Sequence, residues 1–408
     1  MTLLYNIGIA AYSGLIRLAS SFNKKARQLC FGRKITAQIL PKIKLEGKVI
    51  WIHAASLGEF EQGRPIIEKL KERHPQYKIV LTFFSPSGYE VRKNFELADF
   101  VLYLPADTKR NARQFIDAIH PDKVFFIKYE FWYHFLTELA SRQIPVYGVS
   151  VIFRKEQSFF KFYGSWFRKM LSAFNKFYVQ DDVSGELLKN IGFTNYSVAG
   201  DTRFDRVRDI AMESKDFEIV RQFVGDSQKV IVAGSSWAPD EDILIDYIQN
   251  VNKEVKLIIA PHEIHKEHIR QIESKLQVPY FKYTEAESAS TEARVLIINT
   301  IGMLSAIYKY GQVAYIGGGF GVGIHNTLEA ATYGMPVLFG PNFRKFKEAR
   351  DLIDLGGGFT IQSGTEFKER MEEFWSDPLA LAESSEKAGE YVNKMCGATS
   401  LIMKEVFG

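Results

Sequence analysis

The chain has 408 residues, 46% of them hydrophobic and 25% charged, and a formal net charge of +4. That length supports two domains, each with a full core, and so small a net charge excludes a global nucleic-acid signal. The two cysteines, Cys30 and Cys396, stand far apart, which excludes a disulfide framework and a thiolate metal site.

Residues 3–19 are mostly apolar but are broken by Asn6, Ser13, Gly14 and Arg17. A spanning helix needs about 20 clean apolar residues, so this stretch predicts an interfacial anchor instead. Eight cations (Arg17, Lys24, Lys25, Arg27, Arg33, Lys34, Lys42 and Lys44) precede the first acidic residue, Glu46. Apolar first and polybasic second suits an anionic cytoplasmic leaflet. An acid-poor transit peptide, or a helix docked on the protein's own surface, are the rival readings.

From residue 49 strand-like and helical segments alternate. Residues 49–53, 79–83, 100–104, 124–127, 146–151 and 177–179 read as strands, with helical patterns such as 61–73 and 111–119 between them. A second series begins at Lys229, with strands at 230–234, 255–260, 295–298, 313–316 and 337–339. The pattern predicts an α/β fold of two Rossmann-like domains, joined near residues 200–218 and facing a cleft, with ligands at the carboxyl ends of the strands. Residues 158–170 interleave aromatics with cations. They read either as an amphipathic core helix or as a surface for lipid or an acyl chain.

His53-Ala54-Ala55-Ser56-Leu57-Gly58-Glu59 follows the first strand, which places the Glu59 carboxylate at a strand end. It suits proton abstraction from a hydroxyl, or alternatively serves the dipole of its helix. Ser85-Pro86-Ser87-Gly88 predicts a helix-start anion site, and Glu130 is a second carboxylate at a strand end. Arg203 and Arg206 lie at the domain junction, as anion partners or in a hinge salt bridge. In the second series Ser235 and Ser236 follow a strand and read as part of a phosphate cradle. His262, His265 and His268 are spaced three apart, on one helix face if helical, but do not form the His-Glu-x-x-His zinc pattern.

The stretch 313–336 carries the strongest signal. A short strand is followed by Gly317, Gly318, Gly319, Gly321 and Gly323, then by His325 and a helix capped by Asn326 or Thr327 that continues through Leu328 and Glu329. Glycines let backbone N–H groups approach a phosphate, and a carboxylate one turn into the helix suits two ribose hydroxyls. No frame gives Gly-x-Gly-x-x-Gly and no Gly-Lys-Ser/Thr is present, so the loop is neither a dinucleotide fingerprint nor a P-loop. It reads as a nucleotide site of another type, or as a tight turn whose Glu serves the helix dipole.

Taken together, residues 53–59 and the run Gly317–Glu329 followed by Gly340-Pro341-Asn342-Phe343-Arg344-Lys345 resemble the Kdo transferases, over nearly the whole chain. These move 3-deoxy-D-manno-octulosonic acid (Kdo) from CMP-Kdo onto a lipid A precursor. The resemblance implies a GT-B glycosyltransferase that inverts the anomeric centre, uses no metal or cofactor, and sits on the cytoplasmic face of the inner membrane. It implies four regions: a membrane-associating segment at 1–37, an acceptor domain at 38–205, a CMP-sugar domain at 206–390, and a C-terminal helix at 391–408 packing back on the first domain. It also implies that Glu59 is the general base, and that His262, Glu263, Ile301, Gly302, Met303, Asn326, Thr327, Leu328 and Glu329 contact CMP-Kdo. Glu130, Arg203, Ser235, Ser236, Gly319 and His325 are secondary candidates. The expected partners are CMP-Kdo, the lipid A precursor and the anionic membrane surface. This chain departs from the pattern in two places. His262 stands where an Arg is usual, and Asn299-Thr300-Ile301-Gly302-Met303-Leu304 lacks two acidic residues, so contact there is expected from backbone. A UDP-sugar transferase of the same fold and a non-enzymatic, membrane-docked nucleotide binder are the alternatives.

Overall fold

The computed structural model describes residues 1–286 and 292–408. Two compact units are present, one of residues 1–205 with 397–408, the other of residues 206–396.

The first unit is built on seven parallel strands: β1 (Val49–Ala54), β2 (Lys78–Phe83), β3 (Phe100–Tyr103), β4 (Lys123–Ile127), β5 (Val146–Val151), β6 (Lys176–Val179) and β7 (Tyr196–Val198), in the order β3-β2-β1-β4-β5-β6-β7. A parallel sheet covered on both faces needs apolar residues on both sides of each strand. β1 meets that demand: Val49 and Trp51 join one core, with Phe115, Phe126 and Phe135, while Ile50, Ile52 and Ala54 join the other, with Phe60 and Ile66. The order reverses between β1 and β4, so the loops after those two strands flank the switch point where doubly wound sheets bind ligands.

The helix Thr2–Ala19 buries no residue completely. It is tied down by polar contacts: Tyr5 donates to Asp107 at 2.5 Å, and Asn6 meets His134 at 2.6 Å. Leu3, Leu4, Ile7, Leu15 and Leu18 stay exposed. Among the described residues no helix is long and apolar enough to cross a membrane. The next helix, Lys24–Ile39, runs through position 37 without a break. Residues 158–170 do not form one helix. A 3-10 turn, Ser158–Phe160, and the helix Ser165–Leu171 are separated by a turn. Phe159 enters the core and Phe162 is 98% exposed, so the stretch is part core and part surface. Residues 391–408 are likewise two pieces. Pro378–Met395 ends at Cys396, Gly397 takes φ 122°, and Ala398–Phe407 packs Ile402, Met403 and Val406 into the core of the first unit.

The second unit repeats the design with β8 (Val230–Ser236), β9 (Lys256–Pro261), β10 (Tyr280–Lys282), β11 (Val295–Ile297), β12 (Val313–Ile316), β13 (Val337–Phe339) and β14 (Gly358–Thr360). All pairings are parallel, in the order β10-β11-β9-β8-β12-β13-β14. Here the reversal falls between β8 and β12, which puts the Ser235–Ser236 end of β8 beside the glycine loop.

Candidate functional site

In the first unit, Ser56 caps the helix Leu57–Arg73. Its Oγ accepts from the Glu59 N–H at 3.5 Å, while Glu59 Oε2 accepts from the Ala55 N–H at 2.5 Å. Ser56 thus caps the helix and Glu59 reaches back to the residue before the cap, so Glu59 does serve its helix. It is also set apart electrostatically. Burial, and then the charge of Glu130, push its pKa up to about 7, against the pull of the Ala55 N–H and Lys128. A carboxyl group that titrates near neutrality is matched to proton abstraction at neutral pH.

Glu130 is fixed by two donors on one oxygen. Its Oε2 lies 2.9 Å from His53 Nε2 and 2.6 Å from Trp132 Nε1. His53 comes from β1 and is wholly buried, with Nδ1 2.8 Å from Thr82 Oγ1 of β2. The hydrogen bond to a carboxylate puts the ring proton on Nε2. Three neighbouring strand ends therefore make one network, of which His53 and Thr82 were not singled out from the sequence.

Arg203 is committed to its neighbour. Its Nε and Nη2 reach Asp201 Oδ2 at 3.0 and 2.9 Å, and Asp201 also accepts from Gln62 at 2.8 Å. The salt-bridge reading thus describes Arg203. Ser85 Oγ accepts from the Ser87 N–H at 3.2 Å and so caps its own seven-residue helix, Pro86–Arg92.

In the second unit the glycine loop closes on a buried carboxylate that sequence reasoning did not select. Asp240 Oδ2 accepts from the N–H groups of Gly318 and Trp237, each at 2.9 Å, and its Oδ1 accepts from Tyr315 at 2.7 Å. The signal was an acidic residue three positions after Trp237, at the start of the helix Ala238–Asn250. Gly319 is needed for close approach, because a Cβ there would lie 2.5 Å from the Gly340 nitrogen. His325 Nε2 accepts from Trp237 Nε1 at 3.1 Å, and burial, then His262, hold its pKa below the usual value. A neutral ring accepting at Nε2 carries its proton on Nδ1. His262 stacks against both Trp237 and His325, with centroid distances of 4.6 and 4.5 Å.

Several expectations change here. The helix after the loop is one turn, Leu328–Ala331, too short to sum a macrodipole; any anion contact falls to local amides. Asn326 Oδ1 accepts from the Leu328 N–H at 3.1 Å, and its Nδ2 donates to Glu329 at 3.0 Å. Thr327 and Leu328 are fully buried, so neither side chain is exposed to a ligand. Ser236 Oγ is buried and bonded to Glu241 at 3.0 Å, not presented to a phosphate. Ser235 takes φ 52° at a register irregularity near the end of β8. The three histidines share no helix face. His262 precedes the helix Lys266–Lys275, His265 caps it, and His268 pairs with Glu241 at 3.0 Å. Glu263 meets His265 at 3.1 Å on the surface. Ile301 is 84% exposed, Gly302 takes φ 90°, and Met303 turns into the core. Among the described residues no three His, Cys, Asp or Glu side chains cluster to hold a metal.

Residues 27–206 match the family model described as 3-deoxy-D-manno-octulosonic-acid transferase. A 3-deoxy-D-manno-octulosonic acid transferase of Aquifex aeolicus (strain VF5) is 26% identical over 374 residues, covering 89% of this chain and 97% of that relative. One from Chlamydia trachomatis serovar D is 27% identical over 314 residues, covering 74% of this chain and 72% of its own length. Among solved structures, UDP-GlcNAc 2-epimerase from Neisseria meningitidis bound to UDP-GlcNAc superposes with a TM-score of 0.58 at 15% identity, over 88% of this chain and 99% of that one. That likeness concerns the fold.

Proposed function

We propose that the chain is a glycosyltransferase of the Kdo transferase family, and that it moves Kdo from CMP-Kdo to a lipid A precursor, lipid IVA. The observation that carries the chemistry is Glu59, a carboxyl at a strand end titrating at about 7. In the proposed step the acceptor hydroxyl attacks the anomeric carbon of Kdo and its proton passes to the Glu59 carboxylate. The bond from that carbon to the phosphate oxygen breaks, and CMP leaves with the electron pair on the opposite face, which inverts the centre.

The glycine loop supports the nucleotide reading. Amides around Gly319 and a neutral N–H on His325 suit the phosphate, and Glu329 suits the ribose hydroxyls. The stacked rings of Trp237, His262 and His325 wall the same end of the sheet. Ile301, Gly302 and Met303 contribute through backbone, since Met303 is buried and two acidic side chains are absent. Neither metal nor further cofactor enters the proposed step. The exposed leucines of Thr2–Ala19, with the eight cations that precede Glu46, suit a place on the cytoplasmic face of the inner membrane.

Mass analysis of the lipid after incubation with CMP-Kdo and tetra-acylated lipid IVA tests the reading. The expected product is the acceptor plus Kdo. Product from a UDP-sugar and none from CMP-Kdo overturns it. Glu59→Gln should lose roughly 10²- to 10⁴-fold in kcat while CMP binding is retained; unchanged turnover removes Glu59 as the base.

A further inference from the structure

In the first unit a cavity of about 780 Å³ opens between the helix Lys24–Ile39 with the turn after it and the helix Lys109–Ile119. Its walls include Arg33, Leu40, Ile43, Lys44, Pro105 and Ile119. Leu40, Ile43 and Ile119 are core residues, so much of the wall is apolar.

Arg33 is the unusual member. Its Nε donates to the Leu104 carbonyl at 3.0 Å and its guanidinium lies 5.2 Å from the Phe84 ring centre. Among the described residues its two terminal nitrogens have no hydrogen bond, and no carboxylate forms an ion pair with it. The acidic residue in the wall, Asp117, is engaged by Arg142 at 2.7 Å. Arg33 is half-buried and burial pulls its pKa down, but its terminal nitrogens are not sealed from solvent, so the fork stays accessible. The position is nevertheless fixed: Thr36, one turn on, accepts from the Tyr103 N–H at 3.1 Å and ties the helix to β3. A guanidinium held ready with its fork open is suited to a phosphate.

The surroundings say which phosphate. Lys44 adds a second cation, and the core residues behind it offer hydrocarbon. Phe84, under Arg33, stacks on Trp132 at 5.0 Å, and Trp132 donates to Glu130. Contacts thus run without a gap from the cavity to the carboxylate network around Glu59.

We propose that this cavity is an acceptor subsite, taking a phosphomonoester of an acylated glycolipid on Arg33 and Lys44 and hydrocarbon against Leu40, Ile43 and Ile119. The proposal rests on the acceptor reading above. Two measurements on the full chain keep the failures apart. The first is direct titration with dioctanoyl phosphatidic acid, dioctanoyl glycerol and inorganic phosphate, which needs no turnover. Saturable binding of the phosphatidic acid is expected, weakened roughly 10- to 100-fold by Arg33→Gln and less by Arg33→Lys. The exposed Lys44→Gln should cost about 2- to 5-fold and stands in if Arg33→Gln melts early. Equal binding by wild type and both neutral variants overturns the proposal, as does inorganic phosphate binding as tightly as the lipid. The second is KM for lipid IVA with and without its phosphates. Wild type should prefer the phosphorylated form and Arg33→Gln should not, with kcat kept. A wild type that makes no product at all sinks the acceptor reading and leaves the titration to decide the subsite.

Discussion

Glu59 occupies a position where a carboxyl group ordinarily ionises easily, the third residue of a helix with an N–H at 2.5 Å. Burial and the Glu130 charge outweigh that, and the group titrates at about 7 rather than 4.5. The sign follows. Between those values the folded state holds the proton more tightly than the unfolded chain, so stability falls as pH rises, by up to about 3 kcal/mol. Activity moves the other way: kcat/KM should rise with pH through about 7 as the base ionises. Glu130→Gln removes a repelling charge, so this limb should shift to lower pH. A pH profile of kcat/KM checks it, and a limb that does not move assigns the titration to another group. Glu59 was legible because it follows the first strand directly, at the carboxyl end where doubly wound sheets place ligands. His53 was not, because its partner Glu130 lies 77 positions away and meets it only once β1 and β4 are neighbours.

At the scale of elements, the eleven strands read from the sequence are those with a run of buried residues. The three that escaped, β7, β10 and β14, are three residues long, sit at sheet edges and are at most partly buried. An edge strand pairs on one side and need not be apolar on both faces, so its signal is weak. The glycine loop was legible by composition, whereas the carboxylate that organises it was not, since Asp240 reaches Gly318 only through the β8–β12 pairing. Gly319→Ala tests the loop. The new methyl would press on the Gly340 backbone, and overpacking of this kind costs about 1–3 kcal/mol. Weaker CMP binding and a lower melting temperature are expected by calorimetry. Gly58→Ala, where a Cβ meets nothing within 4 Å, should leave both unchanged or slightly better.

For the molecule as a whole, the telling feature is that its last twelve residues, 397–408, belong to the first unit although 191 residues of the second, 206–396, precede them. The junction is held by one buried carboxylate: Asp205 accepts from the N–H groups of Gly397 at 2.6 Å and Thr399 at 2.7 Å. From there the helix Ala398–Phe407 lays Ile402, Met403 and Val406 into the core that contains Ile50, Phe125 and Tyr178, and Lys176 pairs with Glu405 at 2.8 Å. Each such side chain contributes about 1.5–3 kcal/mol when buried, so the helix supplies roughly 5–9 kcal/mol, a sum comparable to the whole stability of a domain. A chain ending at Cys396 should therefore lose the first unit selectively. Limited proteolysis read by mass spectrometry should find new cleavages concentrated in 49–205 while 230–395 persists and still binds CMP. Equal protection of both regions would mean that the terminal helix covers the sheet without stabilising it, and that Asp205 merely tethers the chain end.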